Sequence, residues 1–312
     1  MSRKIALLFP GQGSQYVGMG RELCGLFPVA SQTFEEASDA LGQDMSKLCF
    51  EGPEEDLRRT VNTQPAIVTV SVAAWRVLSS ECGIEPSCAA GHSLGEYAAL
   101  VVSGAMDFPS AVTLVRKRGQ YMQEAVPEGE GAMAALLGLD REVVEELCAE
   151  CSGSRVVRPA NYNAPGQVVV SGHADAVERV SRIAKERWGR KAVLLPVSAP
   201  FHSPLMIPAG ERLRRDLEGV RLGKLGLEVI SNVDAAPYPS AQAAVDLLTR
   251  QVSEPVRWQE SMERIEREGV DLVIEVGPKK VLAGLMRRIA PGVEAVQMED
   301  SGGLRDVLKI LG

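Results

Sequence analysis

Along most of the chain, short apolar runs alternate with segments whose apolar residues recur at the spacing of an α-helix. The predicted strands share a short apolar run bounded by turn residues: 4–9, 87–91, 227–231, 271–276 and 294–298. The predicted helices share apolar positions at a period near 3.6: 28–41, 53–60, 65–82, 94–103, 109–125, 206–217, 241–252, 256–268 and 281–289. This alternation predicts an α/β lobe with a mainly parallel sheet covered on both faces by helices.

Residues 127–198 follow a different pattern. Strands are predicted at 131–138, 155–161, 167–171 and 192–196, with helices at 141–151 and 174–188. This is the β-α-β-β-α-β order of ferredoxin-like folds. We therefore predict a large hydrolase-like lobe from residues 1–126 and 199–312, with residues 127–198 inserted as a small ferredoxin-like lobe and a cleft between the two.

The motif Gly91-His92-Ser93-Leu94-Gly95 lies between a predicted strand and a predicted helix. Glycines on both sides of a serine suit a sharp strand-to-helix turn, which exposes the hydroxyl. Unpaired N–H groups at the helix start favour negative charge there. The motif thus predicts Ser93 as the nucleophile of an acyl-transfer reaction, whose tetrahedral intermediate carries such a charge. The loop Gln12-Gly13-Ser14-Gln15, after the first strand, suits a second oxyanion donor.

The helix predicted at 109–125 carries a charge on its apolar face. Arg118 falls on one stripe with Leu114, Val115 and Met122, whereas the neighbouring basic residues point away. Burying a guanidinium without an anion is costly. Arg118 should therefore have a partner, either an internal Asp or Glu or the carboxylate or phosphate of a ligand, and the spacing leaves both open.

The composition narrows the function class. The 312 residues carry a formal net charge of −7 and are 45% hydrophobic, which gives no overall basic surface for nucleic acid or an anionic membrane. No apolar run approaches the length of a membrane span, and the first one is too short for a signal peptide. We expect a cytoplasmic protein. The six cysteines indicate reduced thiols, and the lone Cys148-x-x-Cys151 spacing predicts neither a redox nor a metal site.

A serine nucleophile requires a base, and the chain has three histidines. His92 adjoins the serine on a turn where neighbouring side chains diverge, and His173 begins a helix of the small lobe. His202 lies in a proline-flanked loop where the two lobes should meet. By elimination, the sequence predicts His202 as the base.

Several motifs occur together in a specific order. They are Phe9 to Gln15, Gly91 to Glu96, Arg116 to Gln120, Asn161 to Gln167, Pro200 to Ser203, Gln251 to Trp258 and Glu275 to Pro278. Jointly they resemble the malonyl-CoA:acyl-carrier-protein transacylases of type II fatty-acid synthesis, from about residue 5 to residue 298.

The resemblance assigns roles to the matching positions. It implies a malonyl ester on Ser93, His202 as its base, and main-chain N–H groups of Gln12 and Leu94 as the oxyanion hole. Arg118 is implied as the partner of the malonyl carboxylate, and a carbonyl at Gln251 orients His202 in place of an acid. The implied function is transfer of malonyl from malonyl-CoA to the phosphopantetheine thiol of an acidic acyl carrier protein. No bound cofactor or metal is implied, and we expect a monomer.

Rival functions use the same residues differently. A serine esterase or thioesterase would use water as the acceptor, and a polyketide-type acyltransferase would load another carrier. A non-catalytic nucleotide-binding module built on Gly11 to Gly13 is the rival from a different class. Retained function after Ser93→Ala would support that module.

The chain departs from the family pattern at one turn. Where the family usually has Gly-Pro-Gly-Lys, this sequence has Gly277-Pro278-Lys279-Lys280, which should alter the turn and add positive charge. Two basic clusters could dock the carrier. The small-lobe cluster is Lys185, Arg187, Arg190 and Lys191, and the large-lobe cluster is Lys279, Lys280, Arg287 and Arg288.

Overall fold

Nine strands and fourteen α-helices build the chain in a computed structural model that describes residues 3–197 and 199–312. The strands are β1 (Ile5–Phe9), β2 (Cys88–Gly91), β3 (Gly131–Leu137), β4 (Val157–Ala164), β5 (Gln167–His173), β6 (Ala192–Leu194), β7 (Glu228–Ile230), β8 (Leu272–Val276) and β9 (Glu294–Met298). The helices are α1 (Arg21–Leu26), α2 (Pro28–Leu41), α3 (Met45–Glu51), α4 (Glu54–Arg58), α5 (Thr60–Cys82), α6 (Gly95–Val102), α7 (Phe108–Glu124), α8 (Arg141–Cys151), α9 (Ala174–Trp188), α10 (Ile207–Leu217), α11 (Ala244–Gln251), α12 (Trp258–Arg267), α13 (Leu282–Ile289) and α14 (Ser301–Leu311).

The large lobe is organised by a five-stranded sheet in the order β7-β2-β1-β8-β9, and every neighbouring pair is parallel. All residues of β1, β2 and β8 are buried, as expected for strands with helices on both faces. Each of these five strands lies within a run predicted from the sequence. The predicted α/β class is confirmed.

The small lobe contains a four-stranded antiparallel sheet in the order β4-β5-β3-β6. Helices α8 and α9 pack against it around a separate apolar core. This is the predicted ferredoxin-like order, although β4 runs three residues further than expected, to Ala164. One predicted lobe boundary falls at residue 198, which lies outside the described residues together with 1 and 2. The lobe boundaries stay a prediction.

Helix α5 contradicts one predicted boundary. The sequence places a helix start at Pro65, because proline lacks an N–H and suits a first turn, yet α5 begins at Thr60 and runs through Pro65. The additional turn is held by Thr63, whose hydroxyl donates to the Leu57 carbonyl at 2.5 Å. It also packs closely on α7, where a Cβ at Gly119 would lie 2.7 Å from the Thr60 carbonyl oxygen. These tertiary contacts thus outweigh the preference of proline for the first turn of a helix. Helix α3 was not predicted.

The parallel sheet places the loops after β1, β2, β7 and β8 at one edge, because parallel strands share their carboxyl ends. Ligands of open α/β sheets bind at this edge. Residues 195–197 of the small lobe and the loop before α10 close over the same edge. No helix among the described residues is long and apolar enough to cross a bilayer.

Candidate active site

The serine lies on a sharp turn between β2 and α6. Ser93 has φ 49°, a left-handed conformation that costs a non-glycine residue about 1–3 kcal/mol. The two flanking glycines have no room for a side chain. A Cβ at Gly91 would lie 1.9 Å from the carbonyl carbon of Gly95, and one at Gly95 would lie 2.1 Å from the carbonyl oxygen of Phe9. The predicted strand–turn–helix around Ser93 is therefore present.

The loop before α10 brings a histidine to this serine. His202 Nε2 lies 2.7 Å from Ser93 Oγ, and its Nδ1 lies 2.7 Å from the main-chain oxygen of Gln251. Because that carbonyl can only accept, Nδ1 carries the proton and Nε2 presents its lone pair to the serine hydroxyl. The arrangement leaves Nε2 ready to take the hydroxyl proton.

Two effects keep this imidazole neutral. Burial, followed by the positive charge of Arg118, lowers the pKa of His202 to about 3. A folded-state pKa below the ordinary value of 6.5 means that the ring stays unprotonated through the neutral range. His202 can therefore accept a proton at physiological pH without first losing one.

Helix α7 places Arg118 beside the same serine. The helix begins where Asp107 caps the Ser110 N–H at 2.8 Å, and its apolar stripe packs inward with Arg118 only 2% exposed. The guanidinium donates to Gln64 Oε1 at 2.9 Å, to Ser93 Oγ at 3.0 Å and to Gln251 Oε1 at 3.1 Å. The arginine therefore contacts the nucleophile itself.

The hydrogen-bond partners of Arg118 among the described residues are neutral. Nothing in residues 3–197 and 199–312 forms an ion pair with it, and its buried Nε has no hydrogen-bond partner there. Glu96 interacts with it electrostatically, but burial raises the pKa of that carboxyl to about 7, so it is only partly ionised at neutral pH. The sequence left open whether Arg118 pairs with an internal carboxylate or with the anion of a ligand. No carboxylate among the described residues is bonded to it.

A buried hydrogen-bond network lies beneath the serine. Glu96 Oε2 accepts from Gln251 Nε2 at 2.8 Å and from the Asn232 N–H at 3.0 Å, and its Oε1 accepts from the Tyr238 hydroxyl. Asn232 Oδ1 accepts from the Ser93 N–H at 2.6 Å, and Gln251 Nε2 also donates to the Ser93 carbonyl at 2.9 Å. The network fixes the backbone of the serine turn from both sides.

A cavity of about 460 Å³ opens above these groups, between the two lobes. Its lining includes Ser93, Arg118 and His202, together with Gln12 and Leu94, the two residues predicted to supply oxyanion N–H groups. The structure thus brings all of these predicted residues to one cavity. Gln251 reaches the site from beneath, through His202.

The other two histidines have different hydrogen-bond partners, although His92 also lines the cavity. His92 Nε2 is 2.8 Å from Asn163 Oδ1, and its ring lies against Trp258 with centroids 5.3 Å apart. His173 precedes α9, and its Nδ1 accepts from the Val156 N–H at 2.8 Å. Neither contacts Ser93 Oγ.

Sequence reasoning missed Gln64 and Asn232. Gln64 lies on the unpredicted first turns of α5, so no periodic pattern indicated it. Asn232 follows β7, which lies beside β2 in the sheet. Its position near Ser93 could be predicted only from the strand order. The described residues hold no group of three or more His, Cys, Asp or Glu side chains placed to bind a metal ion.

A serine on a strand–turn–helix bend, hydrogen-bonded to a neutral histidine, is the arrangement of enzymes that transfer an acyl group through a serine. Residues 6–301 match the acyl transferase domain family, so the chain belongs to this family. It is 45% identical over 305 residues to the malonyl CoA-acyl carrier protein transacylase of Salmonella typhimurium, covering 98% of this chain and 99% of that protein. The resemblance seen in the sequence motifs is confirmed.

Solved structures agree with this assignment. The malonyl CoA-acyl carrier protein transacylase from Coxiella burnetii superposes with a TM-score of 0.97 at 44% identity, covering 100% of this chain and 98% of that one. A malonyl-transacylase in complex with a type II PKS acyl-carrier protein superposes with a TM-score of 0.96 at 46% identity, covering 98% and 99%.

Proposed function

We propose that this enzyme transfers a malonyl group from malonyl-CoA to the phosphopantetheine thiol of an acyl carrier protein, through an ester on Ser93. The observation that carries the proposal is Arg118, a buried cation that contacts the nucleophile and whose hydrogen-bond partners among the described residues are neutral. A diacid thioester supplies the missing carboxylate. Malonyl-CoA and phosphopantetheine enter as substrates, and no permanently bound cofactor is needed.

The first half-reaction follows from the site geometry. His202 Nε2 takes the Ser93 proton across 2.7 Å, and Oγ attacks the thioester carbonyl. The Gln251 carbonyl stabilises the imidazolium that forms, in the place of an acid. N–H groups of Gln12 and Leu94 receive the oxyanion, and each such donor typically contributes about 10²–10³ in rate. The intermediate collapses and CoA leaves as the thiol, protonated by His202.

The second half-reaction repeats these steps in reverse order. The carrier's thiol enters the emptied cavity, gives its proton to His202 and attacks the malonyl ester. The second tetrahedral intermediate releases malonyl as a thioester of the carrier, and the proton returns to Ser93 Oγ. Because CoA leaves before the carrier reacts, the kinetics are ping-pong.

Arg118 determines the acyl specificity in this proposal. Its planar fork matches a carboxylate, and the buried Nε provides a donor that is unpaired in the described structure. An acetyl group would fill the same position without an anion, so the cation would gain nothing from it. Discrimination between malonyl and acetyl therefore depends on this side chain.

The test is intact-mass analysis after mixing the enzyme with malonyl-CoA. A malonyl adduct is expected on the wild type and on no position of Ser93→Ala. In single-turnover acylation, Arg118→Ala should lose about 10²-fold with malonyl-CoA and far less with acetyl-CoA, because only malonyl offers the charge-assisted bond. Equal losses with the two thioesters would contradict the proposed role of Arg118. No adduct on the wild type would overturn the function.

A polyketide carrier is a second candidate acceptor. It is favoured by the likeness to the malonyl-transacylase whose structure includes a type II PKS acyl-carrier protein. An assay in which a fatty-acid carrier and a polyketide carrier compete for the malonyl group compares the kcat/KM values of the two acceptors. Malonate release at the transfer rate without any carrier would instead favour a hydrolase. The cytoplasmic location, the monomeric state and the lobe boundaries remain predictions.

A further inference from the structure

The turn after β8 contains a lysine in a conformation suited to glycine. Lys279 has φ 63°, in the left-handed region. Gln297 Nε2 donates to its carbonyl at 2.8 Å and helps to hold the turn. This conformation costs a lysine on the order of 1 kcal/mol relative to glycine. Because glycine would avoid this cost at an exposed turn, we expect the lysine side chain to have a role there.

The side chain of Lys279 extends to the mouth of the Ser93 cavity. Strands β8 and β1 are neighbours, so the turn after β8 lies beside the loop that contains Gln12 and Gly13. Lys279 Nζ donates to the Gly13 carbonyl at 3.1 Å, and the residue is part of the cavity lining. Its amino group is therefore held at the entrance through which a thioester must pass.

This amino group keeps hydrogen-bonding capacity for an anion. An ammonium has three N–H groups, and among the described residues it donates to one neutral carbonyl oxygen. The helix start behind it is already occupied, since Glu275 accepts from the N–H groups of Val281, Leu282 and Ala283 at 2.8–3.0 Å. A ligand anion at this turn would consequently meet the lysine and not those three main-chain donors.

We infer that Lys279 binds the phosphate at the outer end of the pantetheine arm. The inference rests on the proposed function, in which the acyl end of the arm reaches Ser93 at the cavity floor. Both substrates carry a phosphate at the 4′ end of the same arm, either as the first phosphate of CoA or as the diester on the carrier. A cation at the entrance is placed to meet that shared group as each arm enters.

The test uses Lys279→Gly, which removes the amine and relaxes the backbone. Single-turnover acylation is measured with malonyl-CoA, its 3′-dephospho form and malonyl-pantetheine, which has no phosphate. The half-saturating concentration should rise about threefold to tenfold for the first two, as expected for an exposed charge-assisted contact. Malonyl-pantetheine should show no change, and the saturating acylation rate should be the same for all three.

The control variant is Lys309→Ala, which removes an equal charge from an exposed position on α14, outside the cavity lining. An equal change with malonyl-pantetheine, or a fall in the saturating rate, would show that Lys279 only holds the Gln12–Gly13 loop. An effect confined to malonyl-CoA would assign the contact to the 3′-phosphate. Either result overturns the inference. Failure of the proposed function differs from both, because then the wild type itself would not be acylated.

Discussion

Glu96 is the residue through which the buried network beneath the serine is connected. It is fully buried, and each of its three acceptor contacts leads to a different segment, at Tyr238, Asn232 and Gln251. Two of those residues hold the Ser93 backbone, and Gln251 also holds His202 and Arg118. Glu96 touches no reacting atom, so we expect it to act by positioning.

Two replacements of Glu96 distinguish the loss of its hydrogen-bond acceptors from the loss of its charge. Glu96→Ala leaves several buried donors without an acceptor, at about 1–3 kcal/mol each, and should lower both the stability and the acylation rate. Glu96→Gln keeps an acceptor for the Gln251 and Asn232 N–H groups, and should restore most of that rate at an unchanged KM. Chemical denaturation and single-turnover acylation are the measurements.

The pH dependence of stability provides a readout that packing alone would not change. Burial raises the folded-state pKa of Glu96 to about 7 from 4.5, so this group favours the folded state below pH 4.5 and loses that contribution as the pH rises through 7. The unfolding free energy of Glu96→Gln relative to wild type should therefore increase between pH 5 and 8, by up to about 3 kcal/mol. A difference independent of pH would refute a titrating Glu96.

At the scale of elements, the site depends on how closely α6 approaches β1. Gly95, the first residue of α6, packs against the end of β1 at Phe9 with no space for a methyl group. The close approach places the α6 N-terminus, and with it the Ser93 turn, directly above the sheet edge. The helix dipole then acts on the position proposed for the oxyanion.

Gly95→Ala tests this approach. The added Cβ meets main-chain atoms at 2.1 Å, which cannot rotate away, so we expect a loss of at least about 2–3 kcal/mol in stability and a large loss of acylation. The matched control is Gly284→Ala in α13, where no atom lies within 4 Å of the new Cβ. That variant should be more stable by about 0.5–1 kcal/mol, from helix propensity. Thermal unfolding with equal losses in both variants would contradict the account.

The sequence predicted elements well where burial alone decides them. Strands such as β1 and β8 are buried on both faces, so their apolar runs mark them clearly. The Ser93 turn and the Arg118 stripe were visible because glycine spacing and helical period are local signals. Gln64 was not predicted, since only tertiary contacts extend α5 ahead of Pro65. The side-chain role of Asn232 depends on strand order, which no local pattern encodes.

At the scale of the whole molecule, charge distinguishes the two candidate docking surfaces. In the small-lobe cluster, Arg187 is paired with Glu150 through two bonds of 2.5 and 2.6 Å, which neutralises much of its charge. In the large-lobe cluster, Arg287 and Arg288 donate to neutral carbonyl and amide oxygens of the described residues. Lys279 of that cluster also lines the cavity mouth. An acidic carrier should therefore dock on the large-lobe cluster.

Charge reversal at this surface should affect only the carrier half-reaction. Lys280→Glu combined with Arg287→Glu places two acidic side chains in the large-lobe cluster, where they repel an acidic partner and slow its association. We expect the KM for the carrier to rise about tenfold or more, whereas the rate of Ser93 acylation by malonyl-CoA stays near that of the wild type. Raising the salt concentration should narrow the difference, since exposed charges are screened. Arg187→Glu is the matched control in the small-lobe cluster, and a larger effect there would assign docking to that lobe instead.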